Sequence, residues 1–236
     1  MSSPGWPPSP PCRCPSPRQL LWQLASPTLP VGGYTYSEGL ETVVQQGRLQ
    51  DVADLECWLT AELGSGAVRV DAAVIHRCLL ALRQGDWAAA QRHDDWLLAQ
   101  RSCGAMRQQQ RQMGRSMLAL LRQLTADHGC PLADWPHGAG LALAWSLAGE
   151  RFQLPVTPLL EAFLFSWSAN LISAAVRLAP LAAPEGQQLQ LRLQEPIAAL
   201  AAAAPDLDPR ALWPETLGPT MAQLGHDGLY SRLFRS

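Results

Sequence analysis

Val156-Thr-Pro-Leu-Leu-Glu-Ala-Phe-Leu-Phe-Ser-Trp-Ser-Ala-Asn-Leu-Ile-Ser-Ala-Ala-Val-Arg-Leu-Ala179 is apolar around most of its circumference. It is close to the length that spans a bilayer, so its placement decides what kind of protein this is. Glu161, Asn170 and Arg177 interrupt it, together with Ser166, Ser168 and Ser173. An unpaired charge in a lone membrane span is costly, so the segment reads as a central helix buried by neighbouring helices. Its small residues Ala169, Ser173 and Ala174 would let another helix or a second protomer approach closely.

The flanking sequence supplies those neighbours. From Asp51 to Leu63 the apolar residues Val52, Leu55, Leu59 and Leu63 recur at helical spacing, with Asp51 placed as an N-cap. Asp71 to Arg83 repeats the pattern through Ala72, Ile75, Leu79 and Leu82; Gly85 then stops the helix and Asp86 caps the next. Cys103 to Leu124 places Met106, Met113, Met117, Leu120 and Leu124 on one stripe, with Arg107, Gln108, Arg111 and Arg115 around the other sides. Gly138 to Gly149 and Pro184 to Ala204 add Ala- and Leu-rich helix, broken at Pro196. No segment alternates with the period of a strand. The expectation is an all-α, single-domain bundle of about eight to ten helices around the apolar segment.

Composition narrows the function classes. At 236 residues with 47% hydrophobic content the chain can bury a substantial core, and a net charge of −2 provides no general attraction to nucleic acid or an anionic membrane. All 18 basic residues are arginine. Without lysine there is no Walker A loop and no Schiff-base amine, so the chain is not itself a P-loop GTPase. The histidines His76, His93, His128, His137 and His226 are dispersed without HExxH or HxH spacing. His93-Asp94-Asp95 reads as a solvated polar face. Cys57 and Cys78 sit in helical patterns as core residues, and Cys103 and Cys130 are isolated. Cys12-Arg13-Cys14 has no further ligands nearby, so no catalytic, cofactor or metal residues are assigned. Residues 1–17, rich in proline and serine, read as a disordered tail lacking the apolar run of a secretory signal, so cytoplasm is the expected location.

Two segments have a different character. In Ala25-Ser-Pro-Thr-Leu-Pro-Val-Gly-Gly-Tyr-Thr-Tyr-Ser-Glu-Gly-Leu-Glu41, Pro27 and Pro30 hold Ser26 and Leu29 away from helix, and Gly32-Gly33 permits backbone angles other residues avoid. Thr35-x-x-Glu38 has capping-box spacing, predicting a helix that stops near Gly47. The C-terminal Gly225-His-Asp-Gly-Leu-Tyr-Ser-Arg-Leu-Phe-Arg-Ser236 carries Leu229, Tyr230, Leu233 and Phe234 between Arg232 and Arg235, residue types that anchor interfaces.

The run from Leu24 to Glu41 closely resembles the opening signature of UreF-type urease accessory proteins. Gln112-Met-Gly-Arg-Ser-Met117 resembles the family's central helix, Trp167 to Pro180 its long buried helix, and His226 to Ser236 its C-terminal tail. The resemblance runs from about residue 18 to residue 236 and implies an all-α, usually dimeric adaptor spanning residues 18–224, with a partner-binding tail at 225–236. Such a protein binds UreD/UreH and, with it, recruits the GTPase UreG to the urease apoprotein. GTP would be bound by UreG, and nickel handled by the complex without a permanent site in this chain. The residues carried over are Pro30, Gly32, Gly33, Tyr34, Tyr36, Ser37, Gly39 and Glu41 in the loop, and His226, Tyr230, Arg232, Leu233, Phe234 and Arg235 in the tail. Two alternatives stay open: a helical small-molecule enzyme using Glu41, Glu161 or His226, and a structural helical dimer without a metal role. The resemblance also predicts that deleting residues 225–236 abolishes assembly but leaves a soluble domain.

Overall fold

The computed structural model describes residues 16–127, 138–178 and 181–235, and among these every regular element is helical. In chain order the α-helices are α1 (Pro17–Ala25), α2 (Leu40–Gln45), α3 (Val52–Ser65), α4 (Ala67–Arg83), α5 (Trp87–Ala99), α6 (Gly104–Asp127), α7 (Leu141–Arg151), α8 (Val156–Leu178), α9 (Ala183–Arg192), α10 (Gln194–Ala203) and α11 (Leu217–Gly225). Short 3-10 turns lie at Gly33–Thr35, Ala204–Asp206, Pro209–Ala211 and His226–Gly228. Of the tail expected to be disordered over residues 1–17, residues 1–15, with Cys12 and Cys14, lie outside the described residues, as do His128, Cys130 and His137, whereas Ser16 and Pro17 form the cap and first residue of α1 instead.

Local chemistry starts α3 and α5 where the sequence predicts, whereas α4 opens at Ala67, four residues before the expected Asp71. Asp51 accepts from the amides of Ala53 (2.9 Å) and Asp54 (3.0 Å) to open α3, and Asp86 accepts from Ala89 (2.8 Å) to open α5. Each cap satisfies amides that have no partner within the helix. α1 starts the same way: Ser16 Oγ accepts from Gln19 N at 3.2 Å, and Pro17 occupies the first turn, where its missing N–H costs nothing.

α8 is the inner helix its sequence predicts. It packs against α1, α2, α9 and α10 and against the 3-10 turn at Gly33–Thr35, burying Leu159, Leu160, Leu164, Leu171 and Ala175. Each buried leucine contributes about 2 kcal/mol of apolar burial. Among the described residues it is the one helix long and apolar enough to cross a membrane, and its neighbours cover much of its apolar surface. Its polar interruptions are used internally. Ser168 Oγ donates to Phe165 O (3.0 Å) and accepts from Gln190 Nε2 (2.9 Å), joining α8 to α9.

The core has a second centre. Every residue of α7 from Leu141 to Gly149 is buried, enclosed mainly by α4 and α6. Its alternation of leucine with alanine, serine and glycine lets those helices approach. Trp145 meets Phe163 of α8 edge to face, centroids 5.5 Å apart, and its Nε1 donates to Leu159 O (3.2 Å).

Several details differ from the sequence-based expectation. The buried face of α6 runs through Gln109, Met113, Met117, Leu118, Leu121 and Thr125, whereas Met106, Leu120 and Leu124 are only half-buried. Gln109 belongs to that face because its amide is satisfied from within. Cys57 is exposed, on the outer side of α3, while Cys78 is buried. Asp94 is not on a solvated face: it is 1% exposed, and its Oδ2 accepts from Gly140 N (2.7 Å) at the start of α7. The break between α9 and α10 falls at Leu193, with Pro196 in the first turn of α10.

Candidate functional site

The glycine- and tyrosine-bearing loop and the C-terminal tail, nearly 200 residues apart in sequence, close on each other. Glu41, in the first turn of α2, joins them. Its side chain is 2% exposed and receives three donors: His226 Nε2 at 3.0 Å, Leu233 N at 2.5 Å and Phe234 N at 3.1 Å. Ser37, itself fully buried, accepts from Glu41 N at 3.4 Å and holds the turn that starts α2. Around this centre Arg235 N donates to Thr35 O (2.9 Å), and Gln45 Nε2 donates to Ser231 O (3.0 Å). Phe234 is 5% exposed, with the Arg177 guanidinium 4.7 Å from its ring centroid. A buried carboxylate needs this many donors to offset its desolvation.

The loop is braced from behind as well. Thr35 and Glu38 do not form a capping box; α2 begins later, at Leu40. Thr35 Oγ1 donates to Gly32 O (2.8 Å), and Glu38 has a left-handed φ of +50°. That backbone costs on the order of 1 kcal/mol for a residue with a side chain. It lets the Glu38 carboxylate accept from Trp167 Nε1 of α8 and Gln109 Nε2 of α6, both at 3.0 Å. Burial raises the Glu38 pKa, and these two donors act in the opposite direction. Gly33 lies so close to α8 that a Cβ there would come within 2.7 Å of Asn170 Nδ2. Gly39 has φ +90°, and a Cβ would sit 2.9 Å from Ala222 Cβ of α11.

The fourteen predicted site residues therefore divide by role. Gly33, Tyr36, Ser37, Gly39, Glu41, His226 and Phe234 are buried and hold the two segments together. Pro30, Tyr34, Tyr230, Arg232, Leu233 and Arg235 are exposed, and Gly32, with φ +78°, is half-buried between them. Tyr230 is fully exposed, Tyr34 is 58% exposed and Leu233 is 56% exposed. The exposed set comprises aromatic, aliphatic and arginine side chains carried by the two hydrogen-bonded segments. Glu41 and His226, considered for acid–base chemistry, are bonded to each other and closed to solvent.

Sequence reasoning missed a buried polar cluster. Arg101 Nη2 contacts Asp71 Oδ1 at 2.5 Å, with both side chains mostly buried. Glu62, near the end of α3, accepts from Thr216 Oγ1, and Glu215 N donates to Ser65 O (2.9 Å), so the segment before α11 is tied to α3. Burial pushes the Glu62 pKa up to about 7, with the Thr216 hydrogen bond acting in the opposite direction. Desolvation raises Asp71 too, opposed by Arg101. Among the described residues no three His, Cys, Asp or Glu side chains are grouped to hold a metal ion.

These features define an all-α bundle whose C-terminal tail is latched across a glycine-rich loop. The sequence model of the UreF family matches residues 49–194, from just before α3 to the first residue of α10. The chain is 40% identical over 217 residues to the urease accessory protein UreF of Microcystis aeruginosa, covering 92% of this chain and 96% of that protein. It is 38% identical over 224 residues to UreF of Azoarcus sp., covering 92% and 94%. Against UreF of Alkalilimnicola ehrlichii it is 36% identical over 219 residues, covering 93% and 96%. The chain belongs to the UreF family of urease accessory proteins.

Proposed function

We propose that the chain is a non-catalytic adaptor in urease maturation. In this role it binds UreD/UreH and, with it, brings the GTPase UreG to the urease apoprotein. Nickel is the cargo of that assembly, and GTP is bound and hydrolysed by UreG. The observation that supports this most strongly is the Glu41 latch. It brings the two segments singled out as partner-binding together, with Tyr34, Tyr230, Leu233 and Arg235 exposed and the amides of Leu233 and Arg235 hydrogen-bonded to Glu41 and Thr35. Preordered aromatic and arginine side chains bind with a smaller entropic cost than those of a frayed terminus. The absence of lysine fits a subunit whose nucleotide chemistry resides in a partner.

Dimerisation and a cytoplasmic location belong to the same proposal. The groove between α8 and α9 has Ala169, Ser173, Ala183 and Gly186 among its lining residues, small side chains that favour close approach by a second copy. The assembly is tested by co-purifying tagged chain with UreD/UreH and UreG. Retention of both by the wild type and their loss with Tyr230→Ala plus Leu233→Asp supports the adaptor role. Retention of neither, under conditions where urease becomes active, refutes it.

A further inference from the structure

At the opposite end of α11 from His226, a groove of about 440 Å³ opens between the end of α5, the start of α6 and the segment leading into α11. Its walls carry two indoles, Trp96 and Trp213, and two arginines, Arg101 and Arg210, with no carboxylate among the lining residues. Trp213 is 79% exposed, an unusual position for a residue that gains so much from burial. Arg210 is exposed and free to reorient. Arg101 is fixed by Asp71 from behind, but its buried Nε has no hydrogen-bond partner. The apolar surface continues along α11 through Leu217 and Met221, one helical turn apart and both largely exposed, beside the groove-lining Thr220.

We infer that this groove is a docking site for an acidic segment of a partner protein carrying a bulky apolar side chain. The apolar side chain packs between Trp96 and Trp213, its carboxylates meet Arg210, and the flanking residues lie on Leu217 and Met221. Charge decides the chemistry: Asp71 offsets the charge of Arg101, Arg210 is the other charged lining residue, and no carboxylate lines the groove, so an acidic segment is attracted and a basic one repelled. The chain's own residues 1–15 contain no acidic residue and do not match it. An open groove continuous with an exposed helix face suits a peptide better than an enclosed small molecule. Docking here does not depend on which protein the tail surface serves.

The test uses the full chain and fluorescein-labelled hexapeptides, Asp-Glu-Phe-Leu-Asp-Glu and its basic counterpart Lys-Lys-Phe-Leu-Lys-Lys, followed by fluorescence anisotropy. The wild type is expected to bind the acidic peptide saturably below about 1 mM. Trp213→Ala and Arg210→Glu should each weaken that binding about tenfold or more, with Arg210→Glu shifting preference toward the basic peptide. Both side chains are exposed, so unchanged thermal melts should accompany the loss. Absence of saturation, equal binding of the two peptides, or indifference to both substitutions overturns the inference, whatever the co-purification shows. A concentration-dependent dimer in sedimentation that Trp213→Ala abolishes also overturns it, because a second copy would then occupy the groove.

Discussion

His226 Nε2 lies 3.0 Å from Glu41 Oε2, with both side chains 2% exposed, so the last dozen residues are tied to the first turn of α2. This contact spans 185 residues of sequence and gives a chain end, ordinarily frayed, a single position. Removing the Glu41 side chain with Glu41→Ala leaves His226 and the amides of Leu233 and Phe234 without their acceptor. The predicted loss is about 3 kcal/mol in urea unfolding, with early proteolysis within the tail. Glu41→Gln keeps one carbonyl acceptor and should lose less. Equal stability of Glu41→Ala and wild type would show that the latch is not formed in solution.

Truncation after Gly225 is predicted to do more than remove a binding surface. It exposes the Glu41 carboxylate and empties the slot that Phe234 fills beside Arg177. The helical bundle should survive with near wild-type circular dichroism and a lowered melting temperature. Loss of most helicity would show that the tail is required for the core itself.

Gly39 is predicted to tolerate alanine less well than Gly32 does. Both have positive φ, but nothing lies within 4 Å of a Cβ at Gly32, whereas one at Gly39 meets Ala222 Cβ and Gln223 N of α11. Gly32→Ala should cost about 1 kcal/mol, from the backbone alone, and Gly39→Ala about 2 to 3 kcal/mol. Matching urea midpoints for the two variants would contradict the close packing of α2 on α11.

Stability should fall as pH rises through neutrality. Burial lifts Glu62 to about 7 and Asp94 to about 6, so the folded state favours their protonated forms more than the unfolded chain does. That contribution is complete below the unfolded-state pKa values and is lost as pH rises through the folded-state ones. Glu62→Gln should therefore match the wild type near pH 4 and exceed it near pH 8, by up to about 3 kcal/mol, in urea titrations. A variant less stable than wild type at pH 8 would show that the ionised form of Glu62 is the one the fold stabilises.

The Asp71–Arg101 pair should be costly to break on one side. Asp71→Ala leaves a guanidinium buried without its partner, with a predicted loss of about 3 to 5 kcal/mol. Asp71→Leu combined with Arg101→Met should recover much of that loss. A double variant no better than Asp71→Ala would show that the two side chains are not coupled.

How much of this was legible in the sequence depended on how local the chemistry is. The caps at Asp51 and Asp86 act within three residues, and their helices start where spacing predicts. The apolar run of α8 signals burial by composition alone. α1 escaped the sequence reading, which placed Ser16 and Pro17 in the proline-rich tail although they cap and open the helix. Glu38, Glu62 and Asp94 were not readable in the same way. Each is a charged residue made tolerable by donors 46 to 154 positions away, such as Trp167, Thr216 and Gly140. The loop and tail could be singled out from their residues, but not that one half of each would be buried to hold the other half outward.

The most direct test of the adaptor role is the nickel content of urease purified from cells expressing wild-type chain, no chain, or the Tyr230→Ala plus Leu233→Asp variant. Nickel-loaded, active urease is expected only with the wild type, and nickel-poor apoprotein in the other two despite normal folding of the variant. Full nickel loading without the chain would contradict it.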